Sequence, residues 1–122
     1  MATRKRRREK RANPLRVSDS FRAFVLDQLD EVGDIVPRAM FGGVGLYHQD
    51  VFFGIIAGDV LYLKVDDDSR RDYERAGAGP FMPYPERGGT MQYYAVPLAV
   101  LESPVELTRW AKRAIQVALR KR

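Results

Sequence analysis

The sequence predicts a two-layer α+β domain, an antiparallel β-sheet with flanking helices in the order α-β-β-β-β-α-β-β-α. Three observations predict it. Apolar residues recur at helical spacing near both ends of the chain and at strand spacing between them. The connections inside the strand region are too short for parallel crossovers, which forces a meander. A length of 122 residues with 45% hydrophobic residues fits one domain with a core of its own.

Ser18 is placed to cap a first helix over Asp19–Val32. Phe21, Phe24, Val25, Leu29 and Val32 share one face of it, and Gly33 closes it. Val36–Phe41 reads as a strand and Gly42-Gly43 as a turn. Gly45–His48 reads as a second strand and His48-Gln49-Asp50 as the next turn. Val51–Ala57 is apolar at nearly every position, which predicts a central strand covered on both faces. Gly58-Asp59 is a hairpin signal. In Val60–Val65, Leu61, Leu63 and Val65 alternate with Tyr62 and Lys64.

Asp66-Asp67-Asp68 then opens a short helix over Ser69–Ala76, with its acids where the helix dipole favours them. Phe81–Tyr84 is expected as a short edge strand because Pro83 removes a donor. Such an edge would permit pairing with a second copy, a homodimer. Thr90–Val96 is the last expected strand. Ser103-Pro104-Val105-Glu106 predicts a capping box at the start of a final helix, with Leu107, Trp110, Ala111, Ala114 and Ala118 as its apolar stripe and Ile115 on the border.

The formal charge of +5 is unevenly spread. Residues 1–16 hold eight basic residues and one acid, residues 17–108 hold seven basic and fifteen acidic ones, and residues 109–122 hold six basic and none acidic. The head has almost no apolar side chains and repels itself, so residues 1–17 are expected to form a disordered basic arm before a domain at 18–122. Dense arginine and lysine at Arg4, Lys5, Arg6, Arg7, Arg8, Lys10 and Arg11 suits phosphate contact, which makes the arm the candidate site for DNA or RNA. The basic end of the last helix (Arg109, Lys112, Arg113, Arg120, Lys121) would join it if both fall on one side of the domain.

Much chemistry is excluded. Without cysteine there is no thiolate metal site, no disulfide and no thiol nucleophile. His48 is the only histidine, so no multi-histidine metal centre can form within the chain. Gly42-Gly43-Val44-Gly45 lacks the Lys-Ser/Thr of a phosphate loop and reads as a turn between strands. Asp66-Asp67-Asp68 lacks the spacing of a calcium loop and reads as a cap. The tyrosines 47, 62, 73, 84, 93 and 94 read as core and half-buried sheet residues ahead of a nucleic-acid stacking platform. A pocket joining Arg38, Tyr47 and Asp66 would instead indicate an enzyme or ligand binder. No catalytic set, metal or cofactor is expected. Neither a secretory leader nor an apolar run of spanning length occurs, so the expectation is a cytoplasmic protein without a membrane partner.

Arg38-Ala39-Met40-Phe41-Gly42-Gly43-Val44-Gly45-Leu46-Tyr47 resembles the signature that opens the N-terminal domain of the TfoX/Sxy family. Four more segments match in the same order: Leu61-Tyr62-Leu63-Lys64-Val65-Asp66; Gly79-Pro80-Phe81 with Tyr84; Met91-Gln92-Tyr93-Tyr94-Ala95-Val96-Pro97; and Leu107-Thr108-Arg109-Trp110-Ala111. The likeness spans about residues 18–120 and leaves out the basic arm. It implies an α+β domain with an antiparallel sheet, a regulator of natural competence that acts with a protein partner at promoters, and no catalytic residues. Full-length members carry a second, helical domain, for which a chain of this length has no room. A non-enzymatic regulatory or adaptor domain is therefore expected, with a nucleic-acid-binding module as the alternative.

Overall fold

The computed structural model of the protein describes residues 15–40, 42–83 and 92–121. The arm residues 4–11, Phe41, Tyr84, Thr90, Met91 and Arg122 lie outside them. The described elements are α1 (Asp19–Gln28), a 3₁₀ turn (Asp30–Val32), β1 (Ile35–Met40), β2 (Gly43–His48), β3 (Val51–Ala57), β4 (Val60–Lys64), α2 (Asp67–Arg75), β5 (Tyr93–Ala95), α3 (Leu98–Leu101) and α4 (Pro104–Arg120). The five strands form one antiparallel sheet in the order β1-β2-β3-β4-β5, with the helices flanking it. The expected α+β meander is the observed fold.

β3 occupies the middle, which is why its sequence is apolar throughout. Its two faces feed two clusters. On the helix side, Val44, Leu46, Val51, Phe53, Ile56, Leu61, Leu63 and Val65 pack with Val25 of α1, Leu29 at its C-cap, and Leu107, Ala111, Ala114, Ile115 and Ala118 of α4. On the other side, Ile55, Ala57, Phe81 and Tyr93 pack with Leu15, Phe52 and Tyr62. Leu46 pairs with Gly54 but Tyr47 pairs with Phe52, so Phe53 is an extra residue on β3. This bulge puts Phe53 into the helix-side core and lets Phe52 stand beside Tyr47 on the opposite face.

Several elements depart from expectation. The first helix stops at Gln28 and tightens into the 3₁₀ turn before Gly33, whose φ of 77° only glycine adopts freely. β2 begins at Gly43, so only Gly42, at φ 84°, serves the turn. A Cβ on Gly43 would lie 2.5 Å from the Ile56 carbonyl oxygen, so its bareness serves close strand approach. Residues 81–83 are not a strand. The Phe81 N–H donates to the Tyr93 carbonyl at 2.7 Å, and Gly79 accepts from the Ala95 N–H at 2.9 Å. That segment therefore turns its backbone groups inward to cover the edge of β5, with an isolated bridge at Pro80–Tyr94.

The last strand spans only Tyr93–Ala95, and Pro97 starts the unforeseen helix α3. Ser103 caps α4 by accepting the Glu106 N–H, but the Ser103 N–H donates to Val100, so the box there is half made. The reciprocal box sits at α2. There Asp66 accepts the Ser69 N–H at 2.8 Å, and the Ser69 hydroxyl accepts the Asp66 N–H at 3.0 Å. α4 also buries Ile115 and Val117, because a helix packed along a sheet hides a wider face than a narrow stripe.

Candidate functional site

The sheet face away from the helices gathers six of the side chains singled out by the sequence. Strand alternation puts Arg38 and Met40 of β1, Tyr47 of β2, Phe52 of β3, Tyr62 and Lys64 of β4 and Tyr93 of β5 on it. Three rings form a row. Tyr47 stacks on Phe52 at 5.1 Å, and Phe52 meets Tyr93 at 5.3 Å. A cation closes each end: the Arg38 guanidinium lies 4.8 Å from the Tyr47 centroid and the Lys64 ammonium 5.0 Å from that of Tyr93. Gly45 makes room beneath. A Cβ there would sit 3.1 Å from the Met40 sulfur, 3.2 Å from Phe52 and 3.3 Å from Tyr47.

This geometry shows what the rings contact within the domain. The rings spend their faces on one another and on the two cations, as packing residues of a sheet face do. Burial pushes the Tyr93 phenol well above its ordinary value, which keeps it neutral. Tyr62 packs against Phe81 at 4.8 Å, under the segment that covers β5. On the helix side, Tyr73 packs edge-on against Trp110 at 4.7 Å and against Tyr94 at 6.2 Å. Trp110 and Tyr94 are thus packing residues, and Pro97 is the cap of α3.

At the end of the row, Asp50, Val51, Phe52, Lys64, Tyr93, Ala118 and Lys121 line a shallow cleft of about 300 Å³. Burial and then the nearby Lys121 charge lower the Lys64 pKa, so two cations share this cleft. Asp50 is the acid beside them and also pairs with Arg38 at 3.8 Å.

The remaining candidates take structural roles. His48 is bonded through Nδ1 to the Gly33 carbonyl at 2.9 Å and pins the loop after α1. Among the described residues, no group of three or more acidic or histidine side chains is placed to hold a metal. Asp66 is committed to the α2 cap and to Arg120, while Arg38 and Tyr47 face each other.

The basic C-terminal helix is not the free patch its sequence implied. Arg109 pairs with Glu106, Arg113 with Asp72 and Arg120 with Asp66, so three of its charges are matched by the domain's own acids. Sequence reasoning missed the Arg113 and Arg120 pairs because their acids lie more than forty residues away.

The motif that opens the family resemblance runs from β1 into β2 and builds the Arg38–Tyr47 end of the ring row. The family model described as TfoX N-terminal domain matches residues 27–118. The chain belongs to the TfoX N-terminal domain family. That is a regulatory type of domain and not a known enzyme family. The match covers every strand of the sheet and most of α4, and it leaves out the basic arm and most of α1. No curated protein matches the chain significantly. Among the described residues, no helix is long and apolar enough to cross a membrane.

Proposed function

We propose that this TfoX N-terminal domain is a non-enzymatic regulatory adaptor of the cytoplasm that binds a protein partner in support of transcription, with the basic arm adding affinity for nucleic acid. Membership of the family over residues 27–118 carries this reading. Two further features support it. The titratable residues with well-placed partners are spent on caps and ion pairs rather than gathered round a cleft. Leu98 and Val105 are 66% and 72% exposed, and both belong to the α3–α4 corner. They are the two most exposed large apolar side chains among the described residues, which makes them the positions at which to test a protein contact.

The test is affinity capture with the full chain at high salt, which suppresses arm-mediated contacts. The expected result is a partner that wild type retains and that Leu98→Lys/Val105→Lys loses. Recovery of the same proteins by both would move the contact elsewhere; recovery of none would count against the adaptor role.

A further inference from the structure

The two edges of the sheet differ. Backbone bonds from Gly79 and Phe81 close the outer side of β5, whereas among the described residues β1 pairs with β2 alone. Pro37 fixes which way β1 presents its backbone. It has no N–H, so it faces Leu46 as a non-hydrogen-bonded pair, and the hydrogen-bonded pairs are Val36 with Tyr47 and Arg38 with Gly45. The backbone groups of Ile35 and Ala39 and the Pro37 carbonyl therefore point out of the sheet, where a further strand would find them.

The side chains along this edge complement a second copy of themselves. The two-fold antiparallel registers that overlap most of β1 centre on Val36, Pro37 or Arg38. Centring on Pro37 sets two residues without N–H against each other, so both their carbonyls lose a donor. Centring on Arg38 sets Arg38 against Arg38, and like charges directly opposite repel. Centring on Val36 avoids both. It sets Val36, which is 47% exposed, against its own copy, and Arg38 against Asp34, the exposed residue before β1. These are non-hydrogen-bonded pairs, whose side chains come closest, and a two-fold axis makes the Arg38–Asp34 contact twice.

The flanking groups fit this register. Asp34, at φ 55°, is turned out of the strand, an offset that a side chain as long as arginine can span. The Arg38 guanidinium offers its face to Tyr47 and holds Asp50 only loosely at 3.8 Å, which leaves N–H donors for a further carboxylate. On the helix side, exposed Ala39 falls opposite Gly33, where even a Cβ would meet nothing within 4 Å.

We propose that the protein forms a weak homodimer by antiparallel pairing of two β1 edges in the register centred on Val36, with the Arg38–Asp34 pairs selecting that register and the two sheets joined into one. The dimer requires neither the arm nor a bound partner.

The experiment is sedimentation velocity of the full chain at physiological salt across about 10 μM to 1 mM, the weak range expected of an interface below the standard size. Wild type is expected to pass from monomer to dimer within it. Val36→Lys puts like charges on the axis and Arg38→Asp puts them opposite Asp34, and each is expected to weaken association at least about tenfold. Arg38→Asp/Asp34→Arg rebuilds both pairs with their signs exchanged and is expected to return association to within about threefold of wild type. Pro37→Thr supplies the donor that the Ile35 carbonyl of the second copy lacks, and is expected to tighten the dimer. Leu98→Lys/Val105→Lys, in the helices that follow β5 at the far edge, is expected to keep wild-type association. Circular dichroism confirms that each variant is folded.

Wild type that stays monomeric up to about 1 mM overturns the dimer. Unchanged association in Val36→Lys or Arg38→Asp overturns it by moving the contact off β1, and so does loss of association in Leu98→Lys/Val105→Lys. Failure of the exchanged pair to recover what Arg38→Asp loses overturns the register. No gain from Pro37→Thr overturns the backbone pairing.

Discussion

The Arg120 guanidinium donates to the Asp66 carboxylate at 2.9 Å, joining the last turn of α4 to the residue that caps α2. The same carboxylate accepts the Ser69 N–H, so one side chain both starts a helix and fastens it to another. Arg113 repeats the link about two turns along α4 through Asp72. The acidic middle and basic tail of the sequence thus meet in space.

The Asp66 link makes stability depend on pH in a defined direction. The Ser69 N–H, followed by the Arg120 contacts, pulls the Asp66 pKa from 3.8 down to about 2. A carboxylate depressed on folding contributes stability that is complete above its unfolded pKa and is lost as pH falls through the folded one. Asp66→Asn preserves a good cap but removes the charge, so its urea midpoint falls below that of wild type at neutral pH. The gap closes as the pH approaches 2, where wild type loses the same charge. An unchanging gap would show that Asp66 acts through its shape alone.

Gly43 and Gly45 predict two different sensitivities. A methyl at Gly43 meets backbone, the Ile56 oxygen at 2.5 Å, and strand separation has to increase to admit it. Gly43→Ala is expected to destabilise by roughly 1–3 kcal/mol, the range for overpacking a rigid site. At Gly45 the nearest atom is the Met40 sulfur, the end of a flexible side chain, so Gly45→Ala costs less. Thermal unfolding of both variants ranks them, and the reverse order would refute the close-approach account.

The Tyr47–Phe52 stack is measurable as a coupling. A double-mutant cycle with Tyr47→Leu and Phe52→Leu is expected to return an interaction of about 0.5–1.5 kcal/mol beyond burial. Coupling near zero would mean that the rings are neighbours without mutual stabilisation.

The sequence showed the faces better than it showed the neighbours. Alternation in β4 correctly separated Leu61 and Leu63 from Tyr62 and Lys64, because a strand side chain's face follows from its position alone. The apolar run of β3 likewise predicted its central place. The ring row was not legible. It depends on the one-residue bulge at Phe53, which brings Phe52 level with Tyr47; Gly54 beside it is the signal that could have pointed there, because a glycine inside a strand often marks a bulge. Phe81 reads as a strand residue by propensity, but tertiary contact with Tyr93 overrides that preference. The arginines of α4 looked like a solvent-facing basic patch because their acidic partners come from α2 and its cap.

The two capping sites give a last prediction, in which the less obvious sequence signal carries more stability. Ser103 and Glu106 match the capping-box pattern, yet the Glu106 carboxylate turns to Arg109 at 2.8 Å on an exposed surface. An exposed pair of that kind is worth at most about 1 kcal/mol, so Glu106→Ala is expected to change the unfolding free energy only slightly. Ser69 is 2% exposed, accepts the Asp66 N–H and completes the box that starts α2. Ser69→Ala leaves that N–H without its partner in a half-buried site, at a cost of about 1–3 kcal/mol. Urea denaturation of the two variants, compared at the same pH, decides the matter. A larger loss for Glu106→Ala would show that the α4 box forms in solution after all, because only a reciprocal bond from Glu106 to the Ser103 N–H would give that side chain such weight.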